Sequence, residues 1–465
     1  MEYLANPSKN TPEKYQAHRP QTMGVRYHLM LRAGRGGGQG AQVVQAGSRR
    51  RLWASLTPAM FGFAFSKAWA YLTMFRFAPD VQGLSLVSFE ACSAILVFAI
   101  ALLTLKVPPA KIKRFLPPLS TGVLLIAACL FMVSGVVPQM AVCLNTVGNL
   151  LAAFGVMGLA ALWTDLYALL NPVRATFFAS GSVVLSWVIC FALEANPASR
   201  LFFLLCAIAL LAWGSYRKGA KAVADELRQA DYRRCRPIIP YRAVLFIASY
   251  SLAYGLVSGI VPLSGPGVFE CRTLPAVLVL IILLVSAKRF NVRMLYNIAF
   301  PTMAGGILIV ALLPGVPPGV GAPLINFSYG AMSLMVTVVA CTISYSSSTS
   351  ALWVFGMFVA VQYVSKLMGE WLRGVIVALF WSGGADGATA LVAVAFVAVA
   401  SAVMLTEKSA FSRWGASFRA GGDSEKPEED PMAHARTRID DLSKTYQLTQ
   451  REIEVLHLMA EGKTN

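Results

Sequence analysis

YRKGAKAVADELRQADYRRCRPIIPYR, residues 216–242, is a long polar stretch in the middle of an otherwise apolar chain. It carries Arg217, Lys218, Lys221, Arg228, Arg233, Arg234, Arg236 and Arg242. So basic a segment resists translocation and stays on the cytoplasmic face of a bilayer. On both sides the chain reads as apolar spans, each near the ~20 residues a helix needs to cross the hydrocarbon core. Six precede the loop, at 52–75, 84–105, 116–137, 140–163, 175–193 and 200–215. Six follow it, at 243–263, 273–287, 294–313, 319–342, 351–380 and 387–405. The expected fold class is all-α: a polytopic membrane protein of twelve transmembrane helices in a 6+6 arrangement, spanning 52–405.

Composition agrees. Of 465 residues, 56% are hydrophobic and only 14% charged, against about 25% charged in an ordinary soluble domain. Net charge is +17, from 40 Lys+Arg and 23 Asp+Glu. Such an excess suits nucleic acid or an anionic membrane surface, but most of it lies in loops beside apolar spans and is topological. With the N-terminus inside, the inner loops are 106–115, 164–174, 216–242, 288–293 and 343–350. The first, KVPPAKIKRF, holds Lys106, Lys111, Lys113 and Arg114; the outer loops hold little that is basic beyond Arg76 and Arg272. The expected location is the cell membrane, multi-pass, with both termini cytoplasmic. Residues 1–51 are basic and Gly-rich and lack the apolar core of a signal peptide, so they read as a disordered cytoplasmic arm, with Met23 and Met30 as alternative starts. Cys92, Cys129, Cys143, Cys190, Cys206 and Cys341 lie in apolar runs and read as buried thiols.

Two sets of six spans joined by a cytoplasmic loop resemble the major facilitator fold. That resemblance implies a substrate cavity between the halves. The family's Gly/Asp/Arg signature after the second helix is absent from KVPPAKIKRF and from KRFNVRM, residues 288–294, which weighs against an ordinary transporter.

Ionisable residues inside spans are costly and mark function by default. Lys67 and Glu90 fall at similar depth in the first two spans, roughly 12 Å and 9 Å from the outer end at 1.5 Å per residue, and could pair. Lys366, Glu370 and Arg373 share one helical face. These five read first as ion pairs that lock helices together. The second reading is a polar cavity open to the outside that receives a small charged or amphipathic ligand. NFSYGAMS (326–333) and ISYSSSTS (343–350) read as Ser/Thr glue between helices rather than cavity lining.

After the last span, 406–445 reads as a flexible cytoplasmic linker, rich in Gly, Pro and acid over 419–431. The segment 446–465 then opens like a soluble domain. Thr449 and Glu452 form a capping box, Leu448 and Ile453 a hydrophobic staple, and Gly462 falls at a helix end. The string LTQREIEVLHLMAEGKTN resembles the start of a LuxR-type helix-turn-helix, through Leu448, Thr449, Arg451, Glu452, Glu454, Val455, Leu456, Ala460, Gly462, Thr464 and Asn465. The resemblance implies a DNA-binding domain of four helices, of which only the first is present, so the helix-turn-helix is incomplete and the chain reads as a fragment. The expected function is a membrane-bound LuxR-type transcriptional regulator whose membrane domain senses a ligand or membrane state. Its partners would be DNA, once the domain is complete, the membrane, an unknown small-molecule ligand and a second copy in a possible homodimer. The alternative is a secondary transporter or ligand-binding membrane protein with a vestigial regulatory tail. No nucleophile–base set, metal-ligand spacing or phosphate loop is present, and His18, His28, His434 and His457 all lie outside the spans. Neither an enzyme, a cofactor nor a metal site is expected.

Overall fold

The computed structural model describes residues 58–73, 88–194, 196–223, 239–258, 267–286, 292–312, 320–346, 349–380 and 395. The N-terminal arm, the centre of the basic loop, the twelfth span apart from Ala395, the linker and the helix-turn-helix segment lie outside the described residues. So do Thr449, Arg451, Glu452, Gly462, Thr464 and Asn465.

Eleven α-helices are present among the described residues. They are α1 (Phe63–Leu72, entered through a 3-10 turn at Pro58–Gly62), α2 (Phe89–Lys106), α3 (Pro109–Val136), α4 (Ala141–Tyr167), α5 (Pro172–Glu194), α6 (Ala198–Ala222), α7 (Tyr241–Val257), α8 (Val268–Ser286), α9 (Val292–Leu312), α10 (Ala322–Ser346) and α11 (Ala351–Phe380). Each coincides with one of the first eleven expected spans. Eight of them are long and apolar enough to cross a membrane.

Two boundaries move. The loop read at 106–115 shrinks to a short connection, because Pro109 takes the first helical position, where its missing N–H is no loss. Helix α8 begins at Val268 rather than 273. Gly267 precedes it with φ of 86°, a left-handed turn that glycine adopts without strain, and Glu270 in the first turn favours the positive helix end. That earlier start draws Arg272 out of a loop and into a helix.

The halves repeat one packing pattern. In the first, α1 packs on α4 and α5, α2 on α4, and α3 on α4. In the second, α7 packs on α10 and α11, α8 on α10, and α9 on α10. Contacts between halves are reciprocal: α2 lies along α11 and α5 along α8, while α4 meets α11 and α5 meets α10. Each cross-contact has its counterpart with the halves exchanged, the mark of a pseudo-twofold axis, and α4 faces α10 across it. Helix α10 is mostly buried and α8 mostly is not, so α10 is central and α8 flanks it.

The outward surface is greasy. Ile95, Phe115, Phe191, Phe203, Val285 and Trp371 are all exposed, as suits side chains that meet lipid rather than water. The same fact corrects the cysteine reading: Cys92, Cys190 and Cys341 are buried, but Cys129 and Cys143 are exposed. An apolar run in a membrane helix does not imply an interior position. Lys106, Lys111, Arg114, Arg217, Lys218, Lys221 and Arg242 gather where α2 and α6 end and where α3 and α7 begin. The chain is a multi-pass membrane protein with one strongly basic end.

Candidate functional site

Between the halves lies a cavity of about 160 Å³, lined from α1, α2, α4, α5, α8, α10 and α11. Its charged wall is formed by Lys67, Glu90 and Arg272, with Tyr71, Tyr329, Gln362 and Tyr363 beside them. Val156, Met157 and Ala160 of α4, Ala179 and Val183 of α5 and Leu334 of α10 give it an apolar floor. Glu90 and Arg272 stand near the starts of α2 and α8, so the charged wall lies toward the end of the bundle away from the basic loops.

Glu90 does not pair with Lys67. Helix α2 lies along α11, which brings Glu90 to Lys366 instead. Lys366 Nζ donates to both oxygens of Glu90, at 2.5 Å for Oε2, and stands 3.5 Å from Glu370 Oε1. Ser258 Oγ donates to that same Glu370 oxygen at 3.4 Å. The triad thus joins a helix of the first half to one of the second. Its height is set by close backbone contact between α7 and α11. A Cβ on Gly255 would fall 2.1 Å from the Lys366 carbonyl oxygen, and one on Gly369 would fall 2.3 Å from the Leu252 carbonyl oxygen. Arg373, on the same α11 face, is half-buried and makes no ion pair among the described residues.

Arg272 is held by neutral partners. Its Nε donates to Asn326 Oδ1 at 3.1 Å and its Nη2 to the Tyr254 hydroxyl. Tyr254 in turn donates to Asn326 Oδ1 at 3.3 Å, and Asn326 Nδ2 donates to the Ala322 carbonyl, which fixes the amide. The guanidinium carbon lies 5.8 Å and 5.4 Å from the Tyr254 and Tyr329 ring centroids. Those rings stack on each other at 3.9 Å. Lys67 Nζ lies 5.0 Å from the Phe63 ring centroid and has no ion pair among the described residues.

The structure therefore brings Lys67 and Glu90 onto one cavity and ties Lys366 and Glu370 to it through Glu90. Sequence reasoning missed Arg272 and its tyrosines. The available signal was the acid at Glu270 followed by an uninterrupted apolar run from Leu274, which marks 268–273 as a helix start rather than a loop. The expectation for 326–333 divides. Ser328 Oγ bonds the Ala299 carbonyl and the Tyr250 hydroxyl, as glue would. Tyr329 and Ser333 instead line the cavity. An ion pair that sequence gave no reason to single out, Lys113–Asp165 at 2.8 Å with side chains 9% and 10% exposed, ties α3 to α4 at the basic end.

These features define a multi-pass, all-α membrane protein of two related halves around a polar cavity. No protein-family profile matches the chain, and no curated protein does. The LuxR-type resemblance of 448–465 gains no support there. Among solved structures the chain is similar to the fucose:proton symporter of E. coli, at 13% identity over 75% of this chain and 97% of that one, with a TM-score of 0.45. It is similar to the human organic anion transporter TETRAN, at 13% identity over 75% and 98%, TM-score 0.48. A proton:xylose symporter of the major facilitator superfamily matches at 12% identity over 74% and 93%, TM-score 0.49. Identities and TM-scores this low say nothing of substrate.

Proposed function

We propose that the chain is a ligand-binding membrane protein of the secondary-transporter kind, in which the two halves rock about the central cavity. The observation that carries this reading is the cavity itself: a charged wall and an apolar floor on the pseudo-twofold axis, fed by helices of both halves. Ionisable groups in such a place are costly, and those kept there mark substrate or ion paths. The reciprocal seams, α2 with α11 and α5 with α8, are the surfaces along which one half turns against the other. The Glu90–Lys366 pair crosses the first seam. It serves as a latch that parts and reforms as the halves rock.

The test needs no knowledge of substrate. Spin labels are placed in pairs across the α5–α8 seam, at the basic end and at the opposite end, in the protein reconstituted in nanodiscs. Two distance populations that change in opposite senses at the two ends are expected. A single fixed distance at both ends, unaltered by Glu90→Gln, would refute the transporter reading.

A second reading is favoured by residues 448–465: a membrane-bound LuxR-type regulator, with the cavity as sensor and the tail as the start of a DNA-binding domain. Chromatin immunoprecipitation of the tagged protein from its native cells tests it. Enrichment of discrete DNA sites is expected on this reading, and recovery no better than an untagged control would exclude it.

A further inference from the structure

The ligand's chemistry can be taken further, on the basis of the ligand-cavity reading above. Two cations on the wall, Lys67 and Arg272, make no direct ion pair among the described residues, although the Glu90 carboxylate lies near enough to act on Arg272. Lys67 Nζ lies 5.0 Å from the Phe63 ring centroid. Arg272 donates to two neutral oxygens and keeps N–H groups of its fork that no described residue takes. The two lie close. Tyr71 stands one turn along α1 from Lys67, on the same face, and its ring centroid is 3.9 Å from that of Phe269, on the first turn of α8 beside Arg272.

The acids nearby face Lys366. Lys366 holds both oxygens of Glu90, and Glu370 Oε1 faces Lys366 and Ser258. Among the described residues of the cavity and the triad, Lys67, Arg272 and Lys366 against Glu90 and Glu370 leave one positive charge in excess. An uncompensated charge away from water is costly. A bound monoanion offsets that cost, whereas an ammonium would add to the excess of positive charge. The floor of Val156, Met157, Ala160, Val183 and Leu334 is apolar, while Ser66, Ser333 and Thr337 also line the cavity. An apolar cavity of about 150 Å³ accommodates benzene, so about 160 Å³ suits a single ring or a short chain.

The geometry points to a small monocarboxylate with an apolar body as the ligand. Its carboxylate lies between Lys67 and Arg272, and its body rests on the α4–α5 floor. Arg272 supplies a planar fork for the carboxylate, and Lys67 supplies the second charge.

The test is equilibrium binding of radiolabelled benzoate to the full chain in nanodiscs, with benzamide, benzylamine, hexanoate and hexadecanoate as competitors. Benzoate and hexanoate are expected to bind, and benzamide and benzylamine to compete at least tenfold more weakly. Lys67→Met and Arg272→Gln each remove a charged hydrogen bond and should weaken benzoate by about ten- to a hundredfold, while Lys67→Arg retains most of the affinity. If hexadecanoate competes best, the carboxylate site stands and its acid comes from the bilayer. Benzamide equal to benzoate, no binding by any of the three acids, or unchanged affinity in monodisperse Lys67→Met would overturn the inference. The unaltered protein alone decides the first two, so they hold even if a variant fails to fold. Failure here leaves the rocking motion intact, and fixed spin-label distances alongside benzoate binding would reject transport while keeping the anion site.

Discussion

Replacing Lys366 by Met leaves Glu90 and Glu370 facing each other without the cation that both use. Lys366 is the more enclosed member, with its side chain 11% exposed, against 28% for Glu90 and 32% for Glu370. Removing one partner of a fully buried pair costs about 3–5 kcal/mol. Here both carboxylates are partly exposed, which lowers the expected cost of Lys366→Met to about 2 kcal/mol. Glu90→Gln is milder. Lys366 keeps Glu370 at 3.5 Å and the Gln carbonyl still accepts a bond, so about 1 kcal/mol is expected. The double variant should cost clearly less than the sum, because Glu90 no longer repels Glu370 once it is neutral. Equilibrium unfolding of the four proteins in mixed dodecylmaltoside–SDS micelles gives the cycle. If Lys366→Met proved no worse than Glu90→Gln, or if the two effects simply added, the triad would not be the coupled unit drawn from these contacts.

Other expectations follow from single contacts. The buried Tyr167 hydroxyl donates to the Met60 carbonyl at 2.7 Å and lies 3.1 Å from Ser182 Oγ. Tyr167→Phe should therefore cost about 1–3 kcal/mol in the same unfolding assay, because it orphans the carbonyl that anchors the entry to α1. A Cβ at Gly330 would meet the Arg272 carbonyl oxygen at 2.2 Å, and backbone cannot step aside as a side chain can. Gly330→Leu should destabilise by about 1–3 kcal/mol or more, and should weaken benzoate binding by displacing Arg272. Gly122→Ala, with nothing within 4 Å of its Cβ, should stay within about 0.5 kcal/mol of the parent. For topology, Lys111→Cys at the basic end, in a chain whose eight native cysteines are replaced by alanine, should react with an impermeant maleimide only in inverted vesicles; labelling in right-side-out vesicles would reverse the orientation.

Sequence alone determined the class. Apolar runs of bilayer length, separated by basic loops on alternate sides, admit only a helical bundle whose backbone bonds are satisfied within each span. They also marked Lys67, Glu90, Lys366 and Glu370, because a charge in an apolar run stands out whatever it touches. What the sequence could not supply was partnership. Lys67 and Glu90 are neighbours in depth, yet Glu90 meets Lys366, 276 residues away, because the halves pack α2 along α11. Arg272 looked like a loop cation until α8 proved to begin at Val268, and its tyrosine and asparagine partners lie on α7 and α10. Burial was equally hidden: Cys129 and Cys341 sit in similar apolar runs, yet one faces outward and the other lies buried in the bundle. Hydropathy fixes which segments leave water. In a bilayer every face of a span is apolar enough to meet lipid, so which face turns inward, and which charges then meet, is decided by packing between helices far apart in the chain.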